Sequence, residues 1–156
     1  MPLLNGVCEE SVRLYPTIPI TFREAVSDVT VSGYHIPKGT RVAISPYAIN
    51  RSFDFWGPTA DLFLPDRWIS IGLNGERTIH RTGGATSYLG MITFLHGPRT
   101  CIGKDFARIE MRCVLTALVG QYKMELQDPT KEIFLGGGLT AKPMGGMNLK
   151  LTKREW

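Results

Sequence analysis

The spacing of apolar residues changes character several times along the chain, and each change marks a candidate element. Residues Gly6 to Tyr15 carry Val7, Val12 and Leu14 among polar residues and run into Pro16 and Pro19, which cannot continue a helical ladder. They predict the end of a helix. From Ile20 onward the texture is that of strand. In VTVSGYHIPKGTRVAISPYAI, β-branched residues alternate with polar ones and break at Ser32-Gly33 and Pro37-Lys38-Gly39, which predicts an antiparallel hairpin or meander. Arg51 to Trp68 is rich in aromatics and proline, a composition that packs as ordered coil. Ser70 to Ser87 is polar, bears glycine and has no period, and predicts a loop.

Cys101 to Gln121 predicts the one long helix. At about 100° per residue, Ile102, Phe106, Ile109, Cys113 and Ala117 share one side, and Lys104, Arg108 and Arg112 the other. The expectation is a buried apolar face and a solvated basic face, with the apolar stretch CVLTALVG running into the interior. Beyond it YKMEL, EIFL and MNLKLT, separated by glycine-rich turns, predict a second small sheet. With no internal repeat and no linker, residues 1–156 read as a single α+β unit.

Composition narrows the functional classes. With 156 residues, 43% of them hydrophobic and 21% charged, the chain matches an ordinary domain able to bury a core. No apolar run reaches the roughly 18 residues of a membrane span, and MPLLNGVCEES is not a signal peptide. The net charge of +4 is spread out, with no basic stripe interleaved with aromatics, so no nucleic-acid partner is expected. Cys8, Cys101 and Cys113 lack the spacing of a disulfide framework or a paired zinc motif.

Candidate chemistry concentrates in FLHGPRTCIG, Phe94 to Gly103. A thiolate ligand must be shielded and held at one distance from its metal. Gly97 and Gly103 let the backbone turn tightly and approach a flat ring. Cys101 sits where a helix begins and backbone N–H groups point at the sulfur. Phe94 can cover the sulfur side of the ring, and Arg99 supplies a fixed positive charge for an acidic ligand edge. Three other readings are a buried structural cysteine, a Cys101–His96 nucleophile and a zinc module using Cys8, Cys101, Cys113 and His96. The nucleophile lacks an orienting third group, and the zinc module lacks paired ligands.

The complete pattern F-x-x-G-x-R-x-C-x-G, carried by Phe94, Gly97, Arg99, Cys101 and Gly103, resembles the haem-binding signature of the cytochromes P450, the haem-thiolate monooxygenases. By average residue usage it arises by chance in roughly one in tens of thousands of chains this long. Glu10 and Arg13 resemble the family's E-x-x-R, and Pro65-Asp66-Arg67-Trp68 its P-E-R-[FW], with Asp in place of Glu. The similarity extends over roughly Gly6 to Lys150 and has a fungal flavour.

The resemblance implies the C-terminal, proximal portion of a mostly helical fold with small antiparallel sheets. It implies haem b as cofactor, Cys101 as its metal ligand and catalytic residue, and Arg23 and Arg99 as partners of its propionates. Glu10, Arg13 and Arg67 would form a buried structural triad. Thr17, Ile18, Pro19, Leu139 and Thr140 would contact an apolar small-molecule substrate. The implied activity is reductive activation of dioxygen and insertion of one oxygen atom, with electrons from an NADPH-dependent flavoprotein reductase docking on Lys104, Arg108 and Arg112. Full-length relatives would sit at the cytoplasmic face of the endoplasmic reticulum; this chain shows neither anchor nor signal peptide. It also shows no counterpart of the family's oxygen-side helix, so the alternative is a non-catalytic remnant that binds haem weakly or not at all.

Overall fold

The structure, a computed structural model, describes residues 1–155. Helix α1 spans Pro2–Leu14, with proline in its first turn, where a missing N–H costs nothing. It buries Cys8, Val12 and Leu14 together with Asn5, Glu9, Glu10 and Arg13. Gly6 is required where α1 crosses the turn at Pro65–Trp68: a Cβ there would overlap the Pro65 carbonyl. Strands β1 (Thr21–Glu24), β2 (Val29–Val31), β3 (Tyr34–Ile36) and β4 (Arg41–Ile44) follow. β2 pairs with β3 and β1 with β4, all antiparallel, with Thr21 opposite Ile44 and Glu24 opposite Arg41.

The predicted strand does not continue through SPYAI. Pro46–Ile49 forms a single helical turn, α2, because the Ser45 hydroxyl caps it by accepting from the Ala48 N–H. The coil that follows is ordered by a short helix α3 (Phe53–Trp56) and tight turns at Gly57–Thr59 and Pro65–Trp68. Its aromatics form the apolar core: Trp56, Ala60 and Trp68, joined by Phe55, Ala85 and Met91. The two indoles lie 5.9 Å apart at 52°, and Trp56 donates its N–H to the Gly90 carbonyl at 2.9 Å.

The expected loop at Ser70 to Ser87 contains a hairpin instead. β5 (Ile69–Ile71) pairs with β6 (Arg77–Ile79) through a turn that the Asn74 side chain closes onto the Glu76 N–H. Three-residue strands are too short to show a period. Beyond the cysteine loop runs helix α4, Lys104–Gln121. It starts three residues later than predicted, and Cys101 lies in the turn before it. β7 (Tyr122–Leu126) pairs with β10 (Leu149–Lys153), while β8 (Leu135–Gly136) and β9 (Lys142–Pro143) form a minimal bridge. EIFL is therefore strand only at its end.

The orientation of α4 is opposite to the one expected. Ile102, Phe106, Ile109, Cys113 and Ala117 are exposed, no residue of α4 is buried, and CVLTALVG does not enter an interior. Half-buried positions are Lys104, Ala107, Arg108, Met111, Arg112, Leu115 and Leu118. The reason is a charge on the facing helix. Glu9 of α1 accepts from Arg108 at 2.7 Å and from Arg112 at 3.3 Å, which turns the basic stripe inward. An apolar moment states which residues prefer cover, not what is available to cover them.

Ile102 and Phe106 thus contribute apolar surface to solvent. Replacing both with Ser is expected to raise the concentration at which the chain stays soluble and to shift its unfolding free energy by no more than about 0.5 kcal/mol. A loss of several degrees in the thermal midpoint would place this face in the core after all.

Candidate haem-thiolate site

Glu10 sets the platform beneath the candidate site. Its carboxylate, wholly buried, accepts from Arg13 Nε at 2.9 Å and Arg13 Nη2 at 2.8 Å, and from Arg67 Nε at 2.9 Å. The Leu64 N–H and the Trp68 indole N–H, each at 2.9 Å, complete the set. Glu10, Arg13 and Arg67 are brought together; Leu64 and Trp68 are partners that motif spacing does not reveal. Arg13 also donates Nη1 to the carbonyls of Asn50 at 2.7 Å and Ala60 at 2.6 Å, and its guanidinium lies 4.6 Å from the Trp56 ring.

Burial opposes the charge on Glu10, but the hydrogen bonds from Arg13, Leu64 and Trp68 outweigh it and hold the carboxyl below its ordinary range. Cys8, on the same helix, is pushed the other way: burial raises its thiol, and the nearby Arg112 offsets this only in part.

The cysteine loop springs from this platform. The Cys101 N–H closes it onto the Phe94 carbonyl at 2.8 Å, and the Leu95 N–H bonds the Ile92 carbonyl at 2.8 Å. Two residues take left-handed backbone angles: Gly97 at φ 67°, where glycine is at home, and Leu95 at φ 59°, where a bulky side chain is strained by about 1–3 kcal/mol. A Cβ on Gly103 would lie 3.9 Å from the Cys101 sulfur, so that glycine keeps one side of the thiol open.

Cys101 is exposed and opens on a cavity of about 340 Å³. Phe94, Arg99, Thr17, Ile18 and Thr140 line the same cavity, with Ala107 and Met111 of α4. A backbone bond from the Ala141 N–H to the Thr17 carbonyl at 2.7 Å draws the C-terminal turn to the segment after α1. Pro19 and Leu139 are not among the lining residues. Pro19 faces a separate cleft with Gly136 to Gly138, and Leu139 points to solvent. Arg23 is exposed on β1 and donates Nη1 to the Phe22 carbonyl at 2.8 Å.

Phe94 also lines a second cavity, with Lys104, Arg108 and Arg81. The Arg108 guanidinium sits 5.5 Å from the Phe94 ring. Of the basic stripe, Arg108 and Arg112 are engaged by Glu9, and Lys104 alone has no carboxylate partner among the described residues. The uniformly solvated basic face expected from the sequence is therefore not present.

The donor set limits what could bind. Among the described residues no three His, Cys, Asp or Glu side chains converge, which leaves the zinc arrangement without a cluster. A lone thiol beside apolar side chains and one arginine suits a metal whose remaining ligands come from an acidic macrocycle. Haem fits that description.

The cytochrome P450 family profile matches residues 1–148. The chain belongs to the cytochrome P450 family. It is 43% identical over 160 residues to the cytochrome P450 monooxygenase abl5 of Leptosphaeria maculans, covering the whole chain and 29% of that relative. It is 43% identical over 155 residues to the cytochrome P450 monooxygenase sphH of Aspergillus fumigatus, covering 99% of the chain and 27% of the relative. Among solved structures, a retinoic acid bound cyanobacterial P450, CYP120A1, superposes with a TM-score of 0.81 at 28% identity, covering 99% of this chain and 33% of that one. A crystal structure of the P450 CYP102L1 gives 0.75 at 31%, covering 97% and 32%. The α+β arrangement is thus part of a P450 fold, and the chain spans under a third of the length of these P450 relatives. Among its described residues no helix is long and apolar enough to cross a membrane.

Because the folded-state carboxyl of Glu10 is held low, its stabilisation is present at neutral pH and fades as pH falls through that depressed value. Glu10→Ala strands the buried Arg13 guanidinium and the half-buried one of Arg67 and is expected to cost about 3–5 kcal/mol at pH 7. In urea titrations, Glu10→Gln should be less stable than wild type at neutral pH, and the gap should close toward acid. A gap independent of pH would assign the acid limb to another group.

Proposed function

We propose that this chain is the thiolate-bearing part of a monooxygenase that inserts one atom of dioxygen into an apolar organic substrate, with Cys101 as ligand and catalytic residue of haem b. The observation that supports this best is the cavity in which the sulfur meets Arg99, Phe94 and the turn at Thr17 and Ile18. When bound, haem b supplies reductive activation of dioxygen, and an anionic sulfur on its iron favours O–O cleavage. Gly97 and Gly103 would leave the macrocycle room, since a Cβ on the first meets nothing and one on the second would lie 3.9 Å from the sulfur, and Phe94, which lines both cavities, would screen the sulfur. Arg99 would hold one propionate through its planar fork, and Arg23, which donates Nη1 to the Phe22 carbonyl here, would offer a second guanidinium for the other. Thr17, Ile18 and Thr140 would contact substrate from inside the cavity, whereas Pro19, on the separate cleft, and Leu139, in solvent, would contribute only if the turns that carry them move toward it.

An NADPH-dependent flavoprotein reductase is the proposed electron donor. With Arg108 and Arg112 drawn to Glu9, the steering charge on α4 falls to Lys104. The exposed face of α4 is proposed to meet parts of the P450 fold that lie outside this chain.

In hemin-loaded chain, the reduced carbonyl complex is expected to show the red-shifted band of thiolate ligation. Cys101→Ser should abolish it, and Cys113→Ser should keep it. Persistence of the band in Cys101→Ser would remove the assignment.

A second reading, favoured by the exposed α4 face, is that the chain alone binds haem without turning over. Such oxidation needs a dry cavity, and here the Cys101 thiol that opens on the cavity is itself exposed to solvent. Residues 1–156 with hemin, reductase and NADPH should therefore yield no oxygenated product from a panel of apolar substrates. Product that depends on both reductase and Cys101 would show a competent enzyme.

A further inference from the structure

Burial stops abruptly before the cysteine loop. Among the described residues Ile92 is the last buried one, and every residue of the loop, α4 and the terminal strands is half-buried or exposed. The loop is therefore anchored at its root or not at all. That root is held by Asn50, a wholly buried amide. Asn50 Oδ1 accepts from the Ile92 N–H at 2.9 Å. Its Nδ2 donates to the Thr93 hydroxyl at 2.6 Å and to the Arg13 carbonyl at 2.9 Å. The Thr93 hydroxyl in turn donates to the Val12 carbonyl at 2.9 Å. Val12 and Arg13 belong to the last turn of α1, whose final carbonyls have no partner within the helix. The amide and the hydroxyl satisfy two of them and tie them to the residues that enter the loop.

We propose that Asn50 and Thr93 are positioning residues for the thiolate: they hold the strained Phe94–Cys101 loop in register against α1, so that Cys101 and the α1 turn face each other across one cavity. This rests on the haem reading of Cys101. Every side-chain donor of the pair is used and each side-chain oxygen accepts one bond, so the register is specified: a slip of one residue would strand the Asn50 amide in the interior. The left-handed Leu95, two residues beyond Thr93, is the cost the tie must offset.

The test compares wild type, Thr93→Ser and Thr93→Val. Valine keeps the shape and removes both hydrogen bonds; serine restores them. Two readouts are taken: hemin affinity, and amide exchange at Leu95 and Cys101 in the haem-free chain, with the β7–β10 amides as internal reference. Thr93→Val is expected to weaken hemin binding by about 10–100-fold, as for groups that orient a metal ligand. It should speed exchange at Leu95 and Cys101 while β7–β10 is unchanged, and Thr93→Ser should match wild type in both. Wild-type affinity and protection in Thr93→Val would overturn the proposal, as would a uniform rise in exchange that includes β7–β10. The exchange comparison needs no haem, so it judges the tie separately from hemin binding by the wild-type chain, which judges the haem reading.

Discussion

An ionised carboxylate removed from water is costly unless its lone pairs are filled, and Glu10 is removed completely. Five donors fill them: two from Arg13, one each from Arg67, the Leu64 backbone and the Trp68 indole. Their sequence separations differ widely. Arg13 is three residues away on the same helix, while Leu64, Arg67 and Trp68 lie more than fifty residues on. One side chain therefore specifies where the aromatic coil must lie against α1. Trp56, in the core of that coil, lies under the same guanidinium groups that neutralise the acid, those of Arg13 and Arg67, while Trp68 is fixed by its indole N–H on Glu10 itself.

Adjacent residues of a helix point about 100° apart, and α1 uses this at Glu9 and Glu10. Glu10 faces the coil and Glu9 faces α4. Two neighbouring acids thus engage four arginines, Arg13 and Arg67 at Glu10 and Arg108 and Arg112 at Glu9. The Glu9 pairs remain partly wet, with Arg112 more than a third exposed, so they orient α4 more than they stabilise the chain. Orientation still matters for the site, because it turns Ala107 and Met111 toward the thiol cavity and Arg108 toward the second cavity that Phe94 lines.

The family and the fold class were legible in sequence because they rest on local, high-information features: a ten-residue signature, proline stops, and alternation long enough to read as antiparallel sheet. What escaped was set by partners distant in sequence or by elements too short to carry a period. The β5–β6 hairpin offers three residues per strand. The inward turn of Arg108 depends on Glu9, about a hundred residues earlier. Asn50 sits in AINRS, within the stretch that resembles the family but with nothing local to give it a role, which comes from meeting Ile92 and Thr93, more than forty residues on. Exposure of Ile102 and Phe106 could not be read from periodicity either, since the pattern of a helix records the cover it prefers.

The division of burial explains why the platform and the loop behave differently. Before Ile92 the chain has a packed centre, with Cys8, Leu14, Trp56, Ala60 and Trp68 inside and a saturated network around Glu10. After it, order comes from local backbone bonds: the 18-residue ladder of α4, the β7–β10 pairing and the Cys101–Phe94 closure. Such segments open at lower free energy than a buried core. The thiol lies on the weakly packed side, while the root of its loop at Thr93 is tied to Asn50 and Val12 on the packed side. The cysteine loop therefore hangs from a fixed edge, and that edge stays fixed because Arg13 serves two sites at once, with its guanidinium on Glu10 and its carbonyl on Asn50.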